Sequence, residues 1–192
     1  MKLNKHKSIK ITTGRLVLRL TQVKLAKAIL NYYLENKDHF SSTEAFRPKE
    51  FYTLNYWKKQ IPKFEKEFKQ DQSVRFLLFQ VGNPSKVIGT INFTQIFRGP
   101  FQACYLGYAI SHGEQGKGLM TEALQAAIQY IFDESNVHRI MANYLPSNVA
   151  SERVLKKLGF AIEGRADKYL FINGEWREHV LTSLTNDLWR QV

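Results

Sequence analysis

The amino-acid sequence predicts an α+β domain whose central sheet is mixed but mostly antiparallel, with about seven strands flanked by helices. Strand-like segments outnumber helix-like ones, and most are joined in pairs by turn residues, as in β-hairpins. Between these hairpins lies one strand–helix–strand unit, which accounts for the mixed character of the sheet. The dipeptide Asn173-Gly174, between two strand-like runs, is the strongest short hairpin signal in the chain.

The N-terminal half begins with one strand and two helical regions. The segment GRLVLRL has leucine at every second position, the period of a half-buried strand. We expect the hydroxyl of Thr21 to cap the helix that follows. After a polar stretch over residues 36–49, a second helical region extends from Thr53 to about Lys69, and Pro62 should kink or split it.

The C-terminal half supplies the remaining strands and two further helices. A first hairpin is predicted for SVRFLLFQV and VIGTINFTQIF, and a last one for KYLFINGEWREHVLTSLT. The strands ACYLGYAI and HRIMANYL flank a helix that begins after a glycine-rich turn. The segment SNVASERVLKKLGF is a helix closed by Gly159, with two lysines in its last turn, where cations complement the helix dipole.

Composition limits the class of protein. At 192 residues and 44% hydrophobic content, the chain is long enough for one globular domain. No apolar run approaches the ~20 residues that span a bilayer, and the basic N-terminus lacks the apolar core of a signal peptide. Cys104 is the only cysteine and cannot form an internal disulfide. We therefore expect a soluble cytoplasmic protein with a basic tail over residues 1–12 and a single domain over residues 13–192.

Charge gives the first indication of function. Lys and Arg number 28 against 17 Asp and Glu, which leaves a formal charge of +11. Such an excess favours an anionic ligand or partner: a phosphorylated cofactor, a nucleic acid or the ribosome surface. Because the basic residues are spread along the chain, an ordinary solvated surface stays open as the alternative. The lysines of the N-terminal tail could likewise contact RNA or simply form a mobile end.

The glycine-rich turn over residues 113–118 precedes a helix with a continuous apolar side. Its spacing fits neither the nucleoside-triphosphate loop, because leucine follows Gly118 where lysine is required, nor the dinucleotide fingerprint, whose close glycine pair comes first. Successive backbone N–H groups at such a turn point to one spot, and the helix N-terminus adds positive potential there. The segment therefore predicts a site for a pyrophosphate, with a plain turn as the alternative.

This segment resembles the acetyl-coenzyme A loop of the GNAT N-acetyltransferases, Q-x-x-G-x-[GA], with Met120 where Gly or Ala is usual. The resemblance implies the GNAT fold and acetyl-CoA as co-substrate. It also implies a set of residues that hold the cofactor: Gln115, Gly116, Lys117, Gly118, Leu119, Met120 and Thr121.

A second motif, N-x-x-S, is formed by Asn148 and Ser151 ahead of the sequence LGF. In the GNAT family this asparagine lies beside the pantetheine and the serine lies near the thioester sulfur, so the resemblance implies cofactor contacts for both. The order of elements matches the family over nearly the whole chain. The segments ACYLGYAI, QGKGLMTEAL, HRIMANY and INGEWREHVL are similar to those of ribosomal-protein alanine N-acetyltransferases, a match from about Gly14 to Trp189. This similarity implies that the acceptor is the N-terminal alanine of a ribosomal protein.

The chemistry is consistent with that acceptor. Acetyl transfer from a thioester needs a neutral amine, a stabilised oxyanion and a proton for the departing thiolate. An α-amino group titrates near 8, so roughly a tenth is neutral at pH 7, whereas a lysine side chain titrates near 10.4. Because the sequence has no obvious paired-carboxylate motif, a terminal amine fits better than a lysine.

Catalytic roles can be assigned to a few residues. The resemblance places an acidic residue facing the acceptor at Glu44, which we interpret as the candidate base, with a solvated loop glutamate as the alternative. Ser151 is the candidate proton donor to the thiolate, aided by water or Tyr144; a first-turn hydroxyl that serves the backbone is the alternative. Glu114 should face solvent, since inward it would repel a pyrophosphate.

The strand ACYLGYAI should contribute to both substrates. We expect a backbone N–H of Tyr108, Ala109 or Ile110 to meet the oxyanion and the cofactor, at a bulge that splays the ladder. Tyr105 and Tyr144 are candidate acceptor-binding residues, and the side chain of Tyr108 could also line the acceptor groove, although aromatic strand residues are more often core.

Other chemistries find little support. The sequence has no GxSxG motif, Cys104 lies in an apolar strand, and the five histidines lack the spacing of metal ligands. We therefore expect no metal. Two alternatives to the peptide acceptor stay open: acetylation of a small amine or antibiotic, and a non-catalytic module that binds coenzyme A or RNA.

Overall fold

The computed structural model describes residues 9–41 and 46–191. Eight strands form one sheet: β1 (Lys10–Thr12), β2 (Leu16–Leu20), β3 (Val74–Gln80), β4 (Gly89–Phe97), β5 (Ala103–Ile110), β6 (Arg139–Tyr144), β7 (Ala161–Ile172) and β8 (Glu175–Thr185). Their order across the sheet is β1-β2-β3-β4-β5-β6-β8-β7. The pair β5 and β6 is parallel and the other strand pairs are antiparallel. The predicted fold class is therefore confirmed.

Helices cover both faces of the sheet: α1 (Ala26–Glu35), α2 (Lys37–Ser41), α3 (Leu54–Lys69), α4 (Leu119–Ser135) and α5 (Val149–Lys157). On one face, α1 and α3 bury Ile29 and Ile61 against Phe79 of β3. On the other face, α4 and α5 bury Leu124 and Leu155 in the larger core. Among the described residues, no helix has both the length and the apolar character that crossing a membrane requires.

The sheet has one strand more than the predicted seven or so. The additional strand, β1, pairs with β2 and lies within the segment 1–12 that the sequence assigned to the basic tail. Its Lys10 is described, whereas the tail lysines before residue 9 lie outside the described residues. The last hairpin is also longer than expected, because β7 already begins at Ala161. Its predicted Asn173-Gly174 turn is confirmed, with φ of 52° and 82° at the two residues.

Two local predictions for the helices were wrong, namely that Thr21 caps a helix and that Pro62 splits one; the alternative of a kink at Pro62 stays a prediction. Thr21 does not cap a helix: its hydroxyl donates to the Arg75 carbonyl at 3.2 Å, and a short 3-10 turn, Val23–Leu25, precedes α1. Pro62 does not split α3, which is continuous from Leu54 to Lys69. Because Pro62 is exposed, water can take the place of the hydrogen bond that proline cannot donate.

The feature that creates the site is an early end to the β5–β6 ladder. These strands pair only from Ala103–Arg139 to Tyr105–Met141, and beyond Tyr105 they no longer pair. The bulge predicted near Tyr108 was wrong, since the register shift between β4 and β5 lies between Thr94 and Phe97. The sheet instead splays on the other edge of β5, where no strand within residues 9–41 and 46–191 pairs with residues 106–110 on that side.

Candidate active site

A cleft of about 480 Å³ occupies the gap between the two splayed strands. Its walls are residues 106–110 of β5, residues 142–144 of β6, the start of α4 and the first turns of α5. Side chains from α2 and β8 also reach it, namely His39 and His179. The cleft therefore brings together the glycine-rich turn and the N-x-x-S motif. In the sequence these two segments are distant, since Gly118 and Asn148 are more than 25 residues apart.

The glycine-rich turn has the geometry of an anion site. Gly116 and Gly118 adopt φ of 73° and 75°, the left-handed region that strains other residues. Gly118 is the N-cap of α4 and supplies no side chain, so the first N–H groups of the helix lack a side-chain cap. These amides border the cleft, where they can donate to an anion.

Most of the predicted cofactor residues line this cleft. They are Tyr108, Ala109, Ile110, Gln115, Gly116, Gly118, Leu119, Met120, Thr121, Asn148 and Ser151. Lys117 does not line it, and its ammonium group pairs with Glu114 at 3.0 Å. Glu114 was expected to face solvent, and that prediction was wrong: it borders the cleft, with its carboxylate held by Lys117 and by Gln80 at 3.1 Å.

A second ion pair, between Arg15 and Glu122, contacts the backbone of the glycine-rich turn. Arg15 of the N-terminal segment donates from Nη1 to the Lys117 carbonyl at 2.9 Å and from Nε to Glu122 at 2.6 Å. Glu122 also accepts from the Thr13 hydroxyl at 2.6 Å and from the Arg15 backbone N–H at 2.8 Å. These contacts, of which the bond from the Thr13 hydroxyl has the largest effect, hold the pKa of Glu122 below its usual range. Nothing in the local sequence indicates this pairing, which joins residues 107 positions apart.

The N-x-x-S motif places a serine hydroxyl in the cleft. Asn148 caps α5, with its side-chain oxygen accepting from the Ser151 N–H at 3.0 Å. The Ser151 hydroxyl lies 2.7 Å from the phenolic oxygen of Tyr108 on the opposite wall. Burial raises the pKa of Tyr108 to about 12, although the bond to Ser151 lowers it. The sequence suggested only that this side chain could line the acceptor groove; its bond to Ser151 joins residues 43 positions apart, and nothing in the local sequence indicates it.

Backbone donors also face the cleft from β5. The Ser111 N–H donates to the Ile88 carbonyl at 2.8 Å, which fixes the alternation of the β4–β5 ladder. By that alternation the N–H groups of Tyr108 and Ile110 point away from β4, toward the cleft, whereas that of Ala109 points toward β4. Two of the three predicted oxyanion donors are therefore placed to act.

The two predicted acceptor-binding tyrosines lie on opposite sides of the sheet. Tyr144 is 6% exposed and lines the cleft, and burial raises its pKa. Tyr105 does not line it; its hydroxyl bonds to Tyr169, which belongs to β7. Tyr169 in turn accepts from the side chain of Asn143 at 3.0 Å.

The helix α2 lies over the glycine-rich turn. Buried Asn36, at the junction of α1 and α2, accepts from the His112 N–H at 3.0 Å and donates to Ser111 at 3.2 Å. His39 lies 3.0 Å from the side-chain amide of Gln115. A lone asparagine between two helices carries no sequence signal for this role, so the sequence analysis missed it.

Two further residues considered from the sequence are Glu44, the candidate base, and Cys104, which lies in an apolar strand. Glu44 lies outside the described residues. Cys104 is buried, and burial raises the pKa of its thiol to about 12. Within residues 9–41 and 46–191, no group of three or more His, Cys, Asp or Glu side chains could hold a metal ion.

A splayed parallel strand pair, a glycine turn at a helix start and a hydroxyl in the gap define an acetyltransferase of the GNAT type. The profile of the acetyltransferase (GNAT) domain matches residues 15–161. The chain belongs to the GNAT acetyltransferase family, as its two sequence motifs indicated.

Within this family the chain is similar to enzymes that act on ribosomal proteins. It is 42% identical to the ribosomal protein uS5-alanine N-acetyltransferase of Escherichia coli, over 94% of this chain and 93% of the relative. A crystal structure of ribosomal-protein-S5-alanine acetyltransferase from Vibrio fischeri superposes with a TM-score of 0.92 at 37% identity, covering 95% of this chain and 100% of that one. The fold is shared also with Mycobacterium smegmatis RimJ in complex with a CoA disulfide, with TM-score 0.84, 23% identity and coverage of 92% and 84%.

Proposed function

We propose that this chain transfers the acetyl group of acetyl-CoA to the α-amino group of an N-terminal alanine of a ribosomal protein. The observation that carries the proposal is the 42% identity, over nearly the whole length of both chains, to an enzyme with that activity. The cleft supports it, because an anion site lies at one end and a hydroxyl pair suited to a departing thiolate lies on its walls.

The proposed cofactor position follows the walls of the cleft. The amides of residues 116–121 bind the pyrophosphate, Asn148 adjoins the pantetheine, and the thioester lies beside Ser151. The N–H of Tyr108 or Ile110 then meets the oxyanion. The proposed transfer is direct, through a ternary complex, and the buried thiol of Cys104, the only cysteine, is not placed to carry the acetyl group.

The proposed catalytic residues keep their sequence-based roles. Ser151 donates the proton to sulfur, and its bond to Tyr108 supports this role. Glu44 stays the sequence-based candidate for the base, and Ser41, three positions before it in the chain, accepts a hydrogen bond from Asn173 at the tip of the β7–β8 hairpin. Tyr144 contributes to acceptor binding from the cleft, whereas Tyr105, which does not line the cleft and bonds to Tyr169, keeps only its sequence-based candidacy.

A small polycationic amine is the main competing acceptor. A site for such an amine should collect several carboxylates, yet Glu114 is the one acidic side chain that lines the cleft among the described residues, and Lys117 and Gln80 already bind it. This favours a singly charged peptide N-terminus.

The test has two parts. Purified enzyme is offered acetyl-CoA with an alanine-initiated peptide from a ribosomal protein, the same peptide blocked at its α-amine, and spermidine. We expect acetylation of the free peptide alone. Intact-mass analysis of ribosomal proteins from cells lacking this chain should show one protein without its acetyl group; if every ribosomal protein keeps its modification, the ribosomal acceptor is wrong.

We further propose that the enzyme works in the cytoplasm, where ribosomal proteins are made, and that its basic excess of +11 draws it to the ribosome. Ribosome sedimentation at increasing salt tests this. Association that weakens steeply between about 50 and 200 mM salt supports a phosphate contact, whereas salt-independent association argues against one.

A further inference from the structure

His179 is a buried histidine that borders the cleft without belonging to either sequence motif. It lies on β8, is 4% exposed and lines the cleft. Its neighbour Val180 pairs with Tyr144, the last residue of β6. His179 is therefore held just beyond the end of β6, on the rigid sheet rather than on a loop.

The hydrogen bond of its ring fixes which nitrogen is available. Nδ1 of His179 lies 3.0 Å from the Arg177 carbonyl oxygen. A carbonyl can only accept, so Nδ1 carries the hydrogen and Nε2 of the neutral ring is an acceptor. The ring packs against Tyr169, with centroids 5.6 Å apart, and Asn143 donates to that tyrosine at 3.0 Å. Among the described residues, Nε2 has no hydrogen-bond partner.

The other proton acceptors on the cleft walls are already engaged. The Glu114 carboxylate binds Lys117 and Gln80. His39 is 3.0 Å from the side-chain amide nitrogen of Gln115, a donor, so that ring nitrogen accepts there. Within the described part of the chain, Nε2 of His179 is thus the available imidazole nitrogen at the cleft.

We propose that Nε2 of His179 accepts the proton that the attacking amine loses, an inference that rests on the proposed function and deepens it. The lone pair of the amine forms the new C–N bond, and the nitrogen passes its proton to Nε2. The C–S bond breaks with its electron pair on sulfur, which takes a proton from the Ser151–Tyr108 pair. Water returns the imidazolium proton to that pair. One proton has then moved from nitrogen to sulfur.

The variant His179→Asn removes this base while keeping its anchor. The asparagine amide can occupy the place of Nδ1 and donate to the Arg177 carbonyl, but it has no group at Nε2. With acetyl-CoA and an alanine-initiated peptide, we expect kcat to fall about 100-fold, the size of effect typical of a positioned base. Calorimetry should show unchanged binding of acetyl-CoA.

Three comparisons make the result decisive. His179→Ala should regain at least a tenth of the lost rate with added imidazole, which a merely structural histidine would not allow. His138→Asn, whose ring lies 6.0 Å from Trp189 away from the cleft, should match the wild-type enzyme. Glu44→Gln tests the competing base, and we expect its loss of kcat to be clearly smaller than that of His179→Asn.

Each outcome has one meaning. A His179→Asn enzyme within threefold of wild type, loss of activity through lost acetyl-CoA binding, or the absence of imidazole rescue would overturn the role of His179. If Glu44→Gln lowers kcat by the factor expected for His179→Asn, the glutamate is the base and the role of His179 is overturned. An inactive wild-type enzyme would overturn the proposed acetyl transfer itself, which is a separate failure.

Discussion

The phenolic oxygen of Tyr108 lies 2.7 Å from the hydroxyl oxygen of Ser151, and this bond joins the two walls of the cleft. Tyr108 belongs to β5 and Ser151 to the first turn of α5, so the pair closes across the splayed strands. With the pKa of Tyr108 raised to about 12, both hydroxyls are protonated at neutral pH. When the phenol donates to Ser151, the serine proton is free for a thiolate.

Replacing Ser151 by alanine should therefore slow acetyl transfer without weakening the cofactor site. We expect kcat to fall roughly 100-fold, because a positioned acid contributes about that much. The pyrophosphate amides are untouched, so calorimetry should give a dissociation constant for acetyl-CoA within about twofold of wild type. Equal turnover of the two enzymes would remove Ser151 from the mechanism.

Tyr108→Phe tests whether the two hydroxyls act as one unit. The phenylalanine keeps the ring in the cleft wall but cannot hydrogen-bond to Ser151. We expect kcat to fall about as much as in Ser151→Ala. The double variant should lose little more than either single variant, because the effects of coupled groups are not additive. Steady-state kinetics of the four enzymes measure the coupling; strictly multiplicative losses would show that the hydroxyls act independently.

The glycine-rich turn offers a matched pair of substitutions. A Cβ on Gly116 or on Gly113 would meet nothing within 4 Å, but Gly116 has φ of 73° whereas Gly113 is not in the left-handed region. Gly116→Ala is therefore strained by about 1–2 kcal/mol, and we expect acetyl-CoA to bind about 5- to 30-fold more weakly. Gly113→Ala should bind as wild type in the same calorimetric titration. Similar weakening in both would mean that the turn conformation is not what the cofactor requires.

The sequence predicted the parts of the site that local chemistry encodes. The glycine-rich turn before α4, the helix closed by Gly159 and the Asn173-Gly174 turn each depend on a few adjacent residues, and all are present in the fold. Backbone conformation at such positions follows from residue type, so single-sequence reasoning reached them.

What the sequence could not predict depends on distant contacts. The end of the β5–β6 ladder after Tyr105, the Tyr108–Ser151 bond and the engagement of Glu114 by Gln80 join segments far apart in the chain. Pro62 is a further example. The low helix propensity of proline predicted an interruption, but α3 continues because Pro62 lies on an exposed face of the helix.

The thiol of Cys104 should be unreactive in the folded protein. It is fully buried in β5, and burial raises its pKa to about 12, so almost no thiolate exists at pH 8. We expect a colorimetric disulfide reagent to label no thiol in the native state and one thiol per chain after unfolding in guanidinium. Rapid native labelling would show that β5 opens locally and would reopen the question of a thiol role.

The last prediction concerns Glu122, whose carboxylate accepts from Thr13 and Arg15 and so holds the N-terminal segment against the start of α4. Its pKa is lower in the folded protein than its ordinary 4.5, so its contribution to stability is complete above that value and is lost as the pH falls through the folded pKa. Because Arg15 is half exposed, we expect Glu122→Gln to lower the free energy of unfolding by only about 1 kcal/mol at pH 7. Chemical denaturation at several pH values should show this difference shrinking below pH 4.5, whereas Glu134→Gln, exposed near the other end of the same helix, should differ little from wild type at any pH. A pH-independent deficit in Glu122→Gln would mean that the carboxylate charge is not what stabilises the junction.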